Sequence, residues 1–284
     1  MHRWEPLGRV NPEALVDTRV QLHWATCLVR AVGSTFLDPV SGDPAQLVFD
    51  PLRHTLVGRP EPRGHAPALR LEDGALLLQA PGGAPLDVLL LHGHTLGQGL
   101  DWLASAWSTC VAAPLRRPLA PPAHTLPAHS VGQGQPFYFH RAGPFQELAL
   151  WFTNAAHLLA SLATEHPGAS PVRCGPMDFG LVTHLPLEAG SLAVGMSPGD
   201  DRWPQPYWYV CPHPAVEGEE PLPSLAPHGR WDPAPRLAAV LPGSDLVAGD
   251  TAQRDQVRRF LEAAITACHA LVVSPRARRQ TRVA

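Results

Sequence analysis

A serine, two aspartates, an arginine and two tyrosines fall within one stretch of this chain, and chemistry would fall on them first. Residues 194–214 read Val-Gly-Met-Ser-Pro-Gly-Asp-Asp-Arg-Trp-Pro-Gln-Pro-Tyr-Trp-Tyr-Val-Cys-Pro-His-Pro. Gly195-Met196-Ser197-Pro198-Gly199 has the spacing of a hydrolase nucleophile elbow. Leu89-Leu90-Leu91-His92-Gly93 resembles a strand leading into an oxyanion loop, and Asp232 or Asp245 followed by His269 would complete a triad in the order Ser, Asp, His. Two physical points oppose that reading. The oxyanion hole needs the backbone N–H after the nucleophile, and that residue is Pro198, which has none. The elbow must also lead into a helix, whereas Asp201-Arg202-Trp203-Pro204-Gln205-Pro206 cannot continue as one.

Ser197-Pro198-Gly199-Asp200 reads better as a β-turn. Ser bonds back to the turn, Pro sets φ at the second position and Gly supplies positive φ at the third. The turn aims Asp200, Asp201 and Arg202 at a sheet end. Tyr207-Trp208-Tyr209 follows on a strand, so both tyrosines share one face and Trp208 takes the other. One face must be core; the other can form a ligand wall with hydroxyl handles.

Other chemistries find less support. None of the 15 histidines forms a ligand spacing such as H-x-x-x-H, and no metal is assigned. Gly97-Gln98-Gly99 and Gly132-Gln133-Gly134 lack the third glycine of a dinucleotide fingerprint. The chain has no lysine, which excludes Schiff-base chemistry and a P-loop lysine. A net charge of −3 gives no field favouring nucleic acid.

These residues need elements to hold them. Asn11-Pro12-Glu13 opens a helix, and Val16, Val20, Trp24, Cys27, Leu28 and Ala31 form its apolar stripe; Gly33 is expected to end it. Residues 46–92 read as a β-meander with an Asp73-Gly74 hairpin, and the apolar Val88–Leu91 run reads as its central strand. Helices are expected near 97–112 and from Pro144 to about 165, and strands near 180–187, 191–196, 206–211 and 236–241. Asp250 with Gln253 reads as a capping box for a last helix. The fold class is therefore α+β, with antiparallel or mixed sheets packed by amphipathic helices. The organisation reads as an N-terminal part (1–112), a Pro-rich connection (113–142), a C-terminal part with the candidate site (143–273), expected to form one compact unit with the N-terminal part, and a basic tail (274–284).

Five scattered cysteines without a CxxC pair point to reduced thiols in the cytoplasm. No apolar run reaches the roughly 18 residues of a membrane span, and the N-terminus has no apolar signal core. A soluble protein that touches no membrane is expected.

The pieces Arg173-Cys174-Gly175-Pro176-Met177-Asp178-Phe179-Gly180, Ser197-Pro198-Gly199-Asp200, Pro206-Tyr207-Trp208-Tyr209-Val210 with Pro212-His213-Pro214, and Gly229-Arg230-Trp231-Asp232 carry a resemblance. The chain resembles an uncharacterised bacterial family of soluble proteins. That family reads Arg-Cys-Trp-Pro-His-His-Phe-Asp, Ser-Pro-Gly-Asp, Pro-Tyr-x-Tyr-Val-x-Pro-x-Pro and Gly-x-Trp-His. The resemblance runs from the first helix to the last and is most specific over 172–232. It implies a pocket frame shared with the family. It also implies loss of the family's His-His-Phe-Asp cluster, since Met177, Asp178, Phe179 and Gly180 stand there, and Trp231-Asp232 replaces Trp-His. Asp178 and Asp232 retain oxygen atoms suited to a hard cation.

The expected function is binding of a small polar or anionic ligand. Arg173, Ser197, Gly199, Asp200, Tyr207, Tyr209, Trp231 and Asp232 form the expected site, with Arg173 as the anion partner. One alternative is a hydrolytic enzyme using Asp178, Asp200 and Asp232, with or without a cation. Another is an interaction module built on Trp203 and Trp231.

Overall fold

A computed structural model describes residues 3–36, 46–111, 115, 117–120, 126–175, 179–216 and 222–273. Its four helices and two antiparallel sheets make an α+β fold. The chain divides into two compact units: residues 13–153 with 173–179, and residues 1–12 with 154–172 and 180–284. The division passes through helix α3 (Ala142–Glu165), which supplies its first half to one unit and its second half to the other.

The first unit holds helix α1 (Pro12–Phe36), which runs through Gly33 rather than stopping there. A meander follows in the order β1 (Val48–Asp50), β2 (Thr55–Val57), β3 (Ala66–Arg70), β4 (Ala75–Gln79) and β5 (Pro85–Leu90). The Asp73-Gly74 turn joins β3 to β4, with Gly74 at φ 65° and the Asp73 carboxylate accepting the Ala75 N–H. Phe49, Leu56, Leu69, Leu76 and Leu78 share the core face of this sheet.

β5 is an edge strand, not the central one. Its apolar run suggested burial on both faces, but the sheet ends there and leaves Leu86, Val88 and Leu90 exposed. Helix α2 (Leu96–Cys110) begins with a capping box. Thr95 Oγ1 accepts the Gln98 N–H, and the Gln98 side chain accepts the Thr95 N–H. The buried Arg30 guanidinium donates to Thr26 Oγ1 and to the Gly175 carbonyl at 2.9 Å. It thereby anchors the short strand β6 (Arg173–Cys174), whose Cys174 backbone pairs with Leu47.

In the second unit the strands run β10 (Arg230–Asp232), β11 (Ala238–Pro242), β9 (Tyr207–His213), β8 (Gly190–Ser197) and β7 (Leu181–Leu187). Helix α4 (Asp250–Val273) packs on β9, β8 and β11 through Val257, Phe260, Leu261, Ala264 and Cys268. Gln253 does not close a capping box. Its buried amide instead accepts the Trp4 indole N–H and the Leu7 N–H and donates to the Leu7 carbonyl. Asn154 holds Glu5 by both backbone groups, so the segment before α1 is tied into this unit. Trp4 then stacks on Trp208, ring centroids 6.1 Å apart.

No helix among the described residues is long and apolar enough to cross a membrane.

Candidate functional site

Ser197-Pro198-Gly199-Asp200 opens the 198–206 loop that connects β8 to β9, strand to strand. Ser197 is buried, and its Oγ accepts the Gly199 N–H at 3.1 Å, with Gly199 at φ 114°. The hydroxyl thus shapes the turn rather than standing as a nucleophile at the mouth of a helix.

Asp200 folds the loop that follows. Its Oδ1 accepts the N–H groups of Arg202 and Trp203 at 2.8 and 2.7 Å. Its Oδ2 accepts the Tyr207 hydroxyl at 2.6 Å. This is an Asx-type turn, which Asp favours because its short side chain reaches backbone N–H groups two and three residues on.

Asp232, on β10, is the second hub and is 5% exposed. Its Oδ2 accepts the Arg202 Nε–H and the Trp203 indole N–H, both at 2.6 Å. A second Arg202 nitrogen pairs with Oδ1, and the Ala234 N–H donates to it at 3.3 Å. Burial alone would raise the Asp232 carboxyl. The hydrogen bonds from Arg202, Trp203 and Ala234 and the Arg202 charge overcome that, and its pKa lies below the usual carboxylate range. The same pairing raises the Arg202 guanidinium.

Arg230, also on β10, pairs with Asp245 and lies over the Trp203 ring, 5.7 Å from its centroid. Trp231 donates its indole N–H to the Pro223 carbonyl at 2.8 Å and so pins the loop before β10.

On β9, Trp208 is fully buried while Tyr207 and Tyr209 are half-exposed on the other face. Register sets the row: Tyr207 lies opposite Ser197, and Tyr209 lies opposite Gly195 and Val240. The Tyr209 ring lies over Gly195, where a Cβ would come within 2.7 Å of its Cζ. Ring centroids are 6.3 Å apart for Trp203 and Tyr207, and 6.0 Å for Tyr207 and Tyr209. Cys211, His213 and, across β8, His184 continue the same face. Burial pushes the Cys211 thiol up. Partial desolvation, and then the charge of His213, lower the His184 imidazole.

The structure therefore brings Ser197, Gly199, Asp200, Tyr207, Tyr209 and Asp232 together in one unit, whereas Trp231, in register with Ala239 and Val210, takes the opposite face of the sheet. Arg173 belongs to the other unit, and Asp178 lies outside the described residues. Arg202, Trp203 and Arg230 join the cluster, Trp203 as part of the wall rather than as a partner-docking residue. Arg202-Trp203, inside the loop after the turn, was the available signal. Asp200 and Asp232 each spend their oxygens on several protein donors, so neither presents a bare carboxylate. Among the described residues no group of three or more His, Cys, Asp or Glu side chains is placed to hold a metal ion. No protein-family model, no curated protein and no solved structure matches this chain.

Proposed function

We propose that this protein binds a small polar or anionic ligand on the sheet face bearing Trp203, Tyr207 and Tyr209, beside the Ser-Pro-Gly-Asp turn. One observation carries the reading: Trp208 takes the core position, so Tyr207 and Tyr209 stand half-exposed and adjacent. Two guanidinium groups lie on the same rim, Arg202 paired with Asp232 and Arg230 with Asp245; both are half-exposed, so a polar or anionic substituent reaches them in competition with those carboxylates.

In this reading the carboxylates are supports. Asp200 fixes the Tyr207 hydroxyl and Asp232 fixes Trp203, so the aromatic wall is rigid before the ligand arrives. A hydrolytic role for Asp200 and Asp232 is less favoured, because their lone pairs are already engaged. The same reading takes the chain as a divergent member of the family carrying the Ser-Pro-Gly-Asp and Pro-Tyr-x-Tyr-Val pieces, with the frame kept and the imidazoles lost. Five thiols without a disulfide favour a reducing compartment, the cytoplasm.

Benzoate is a suitable probe, being a flat ring with one negative charge. Titrated into ¹⁵N-labelled protein, it is expected to shift the Trp203 indole N–H and the Gly195 and Tyr209 amides. Arg230→Gln is expected to weaken binding about tenfold, the loss of one charge-assisted contact. Benzoate shifts that bypass these residues, or an unchanged affinity in Arg230→Gln, would remove the reading.

A further inference from the structure

A concavity lies on the outer face of the β1–β5 sheet. It has a volume of about 360 Å³, on the scale of a small organic ligand, and its lining includes Leu52, Arg53, Arg70, Leu77, Gln79 and Pro85. Gln79 is 4% exposed, yet its carboxamide makes no hydrogen bond among the described residues. Its side-chain nitrogen and oxygen are not sealed from solvent, so the amide opens into the cleft and is left to water or to a ligand there.

The local backbone is built around this residue. Leu78 pairs with Asp87 and Gln79 with Pro85, so Leu86 is an extra residue in β5 and a bulge sits beside Gln79. Bulges of this kind re-aim side chains and recur next to binding sites. Leu77 shares the Gln79 face of β4 and supplies an apolar floor.

Charge defines the class of ligand. Arg53 pairs with Asp50 at 2.7 Å, Arg70 grips Asp73 at 2.6 and 2.9 Å, and the nearby His54 imidazole meets Glu72 at 3.0 Å. Every basic group at the cleft already faces a carboxylate, so an anion there competes with an existing partner, whereas the Gln79 carboxamide has none to displace. Gln79 offers an acceptor and a donor side by side. Arg53 adds a flat surface. Its guanidinium is held by Asp50 and the Gly82 carbonyl and lies against Gly83, where a Cβ would come within 3.2 Å of its Cζ. Guanidinium planes stack on unsaturated rings.

We infer that this cleft binds an uncharged planar ligand bearing an amide or lactam edge, its N–H and C=O paired with the Gln79 carboxamide and its ring against Arg53. The inference is independent of the aromatic face in the other unit.

Nicotinamide and uracil carry the required edge, and benzoate is the anionic control. With ¹⁵N-labelled full-length protein, both amide probes should shift the Gln79 side-chain NH₂ pair and the Gly83 amide saturably. Benzoate should leave them still. Gln79→Met keeps the chain length and removes the amide. It should cut nicotinamide affinity about tenfold, the loss of paired hydrogen bonds. Its melting temperature should stay near the parent's, because the amide opens to the cleft and makes no hydrogen bond among the described residues. Leu52 lies at the rim and is 85% exposed, so Leu52→Ala tests the site with folding intact and should weaken binding a few-fold. Three results each overturn the inference: no shift at Gln79, benzoate binding at the cleft as tightly as nicotinamide, or parental affinity in both variants.

Discussion

Asp232→Ala is expected to cost about 3 kcal/mol of folding stability at neutral pH, as removal of one partner of a buried pair does. The carboxylate is 5% exposed and meets Arg202 twice, the Trp203 indole and the Ala234 N–H. Arg202 is half-exposed and water rehydrates it after the change, so the loss sits at the low end for buried pairs. The Trp203 indole loses its acceptor at the same time, so its NMR signal should broaden or move.

The pH dependence has a fixed sign. A carboxyl whose pKa is depressed by folding stabilises fully above its unfolded value, about 3.9. That contribution is lost as pH falls through the lower, folded value. The gap between the parent and Asp232→Ala should therefore be widest near pH 7 and should narrow below about pH 3.9. Asp232→Asn keeps one acceptor and loses the charge, so it should fall between the two. Urea unfolding at both pH values measures this. A gap under about 0.5 kcal/mol at neutral pH, the scatter of ordinary surface changes, would mean that the loop holds without Asp232.

Much of this frame is readable from residue order alone. The Asp73-Gly74 hairpin, the Gly199 positive φ with the Ser197 side chain bonding back to it, and the alternation of Tyr207, Trp208 and Tyr209 are local signals, and each appears where its chemistry puts it. The misreadings concern properties that only the assembled chain possesses. The Val88–Leu91 run is apolar enough for a central strand, but strand order decides centrality, and β5 is last in its sheet. Asp250 and Gln253 have capping-box spacing, yet Gln253 bonds to Trp4 and Leu7, nearly 250 positions away.

The candidate site follows the same division. Its residues gather at one sheet end, but the pairing of Asp232 with Arg202 spans 30 positions and has no local signature. A carboxylate that looks like a ligand or an acid in sequence is thereby committed to a guanidinium and an indole. The cleft-facing amide of Gln79 was equally hidden, because the cleft and the bulge beside it arise only from strand pairing.

Gly195→Val is expected to destabilise the protein by about 3 kcal/mol, the upper range for overpacking. Its backbone carries no positive φ, so the cost is one of space. Even an alanine Cβ would come within 2.6 Å of both the Leu181 carbonyl oxygen and the Tyr209 hydroxyl. The two obstacles differ in kind. The Tyr209 ring can swing aside at the price of its half-exposed seat. The Leu181 carbonyl belongs to β7, opposite Met196 in the ladder, and moves only if the β7–β8 pairing shifts.

Gly195→Ala should therefore cost about 2 kcal/mol. Adding Tyr209→Ala should recover less than half of that cost, because the carbonyl stays. Recovery of nearly all of it would instead make the ring the sole obstacle and the ladder compliant. In either case the single variant lifts Tyr209 off the sheet, so benzoate binding at the aromatic face should weaken along with stability. A Gly195→Ala protein that unfolds more easily but binds benzoate as the parent does would separate the two. It would show that Tyr209 packs on this face without contacting the ligand.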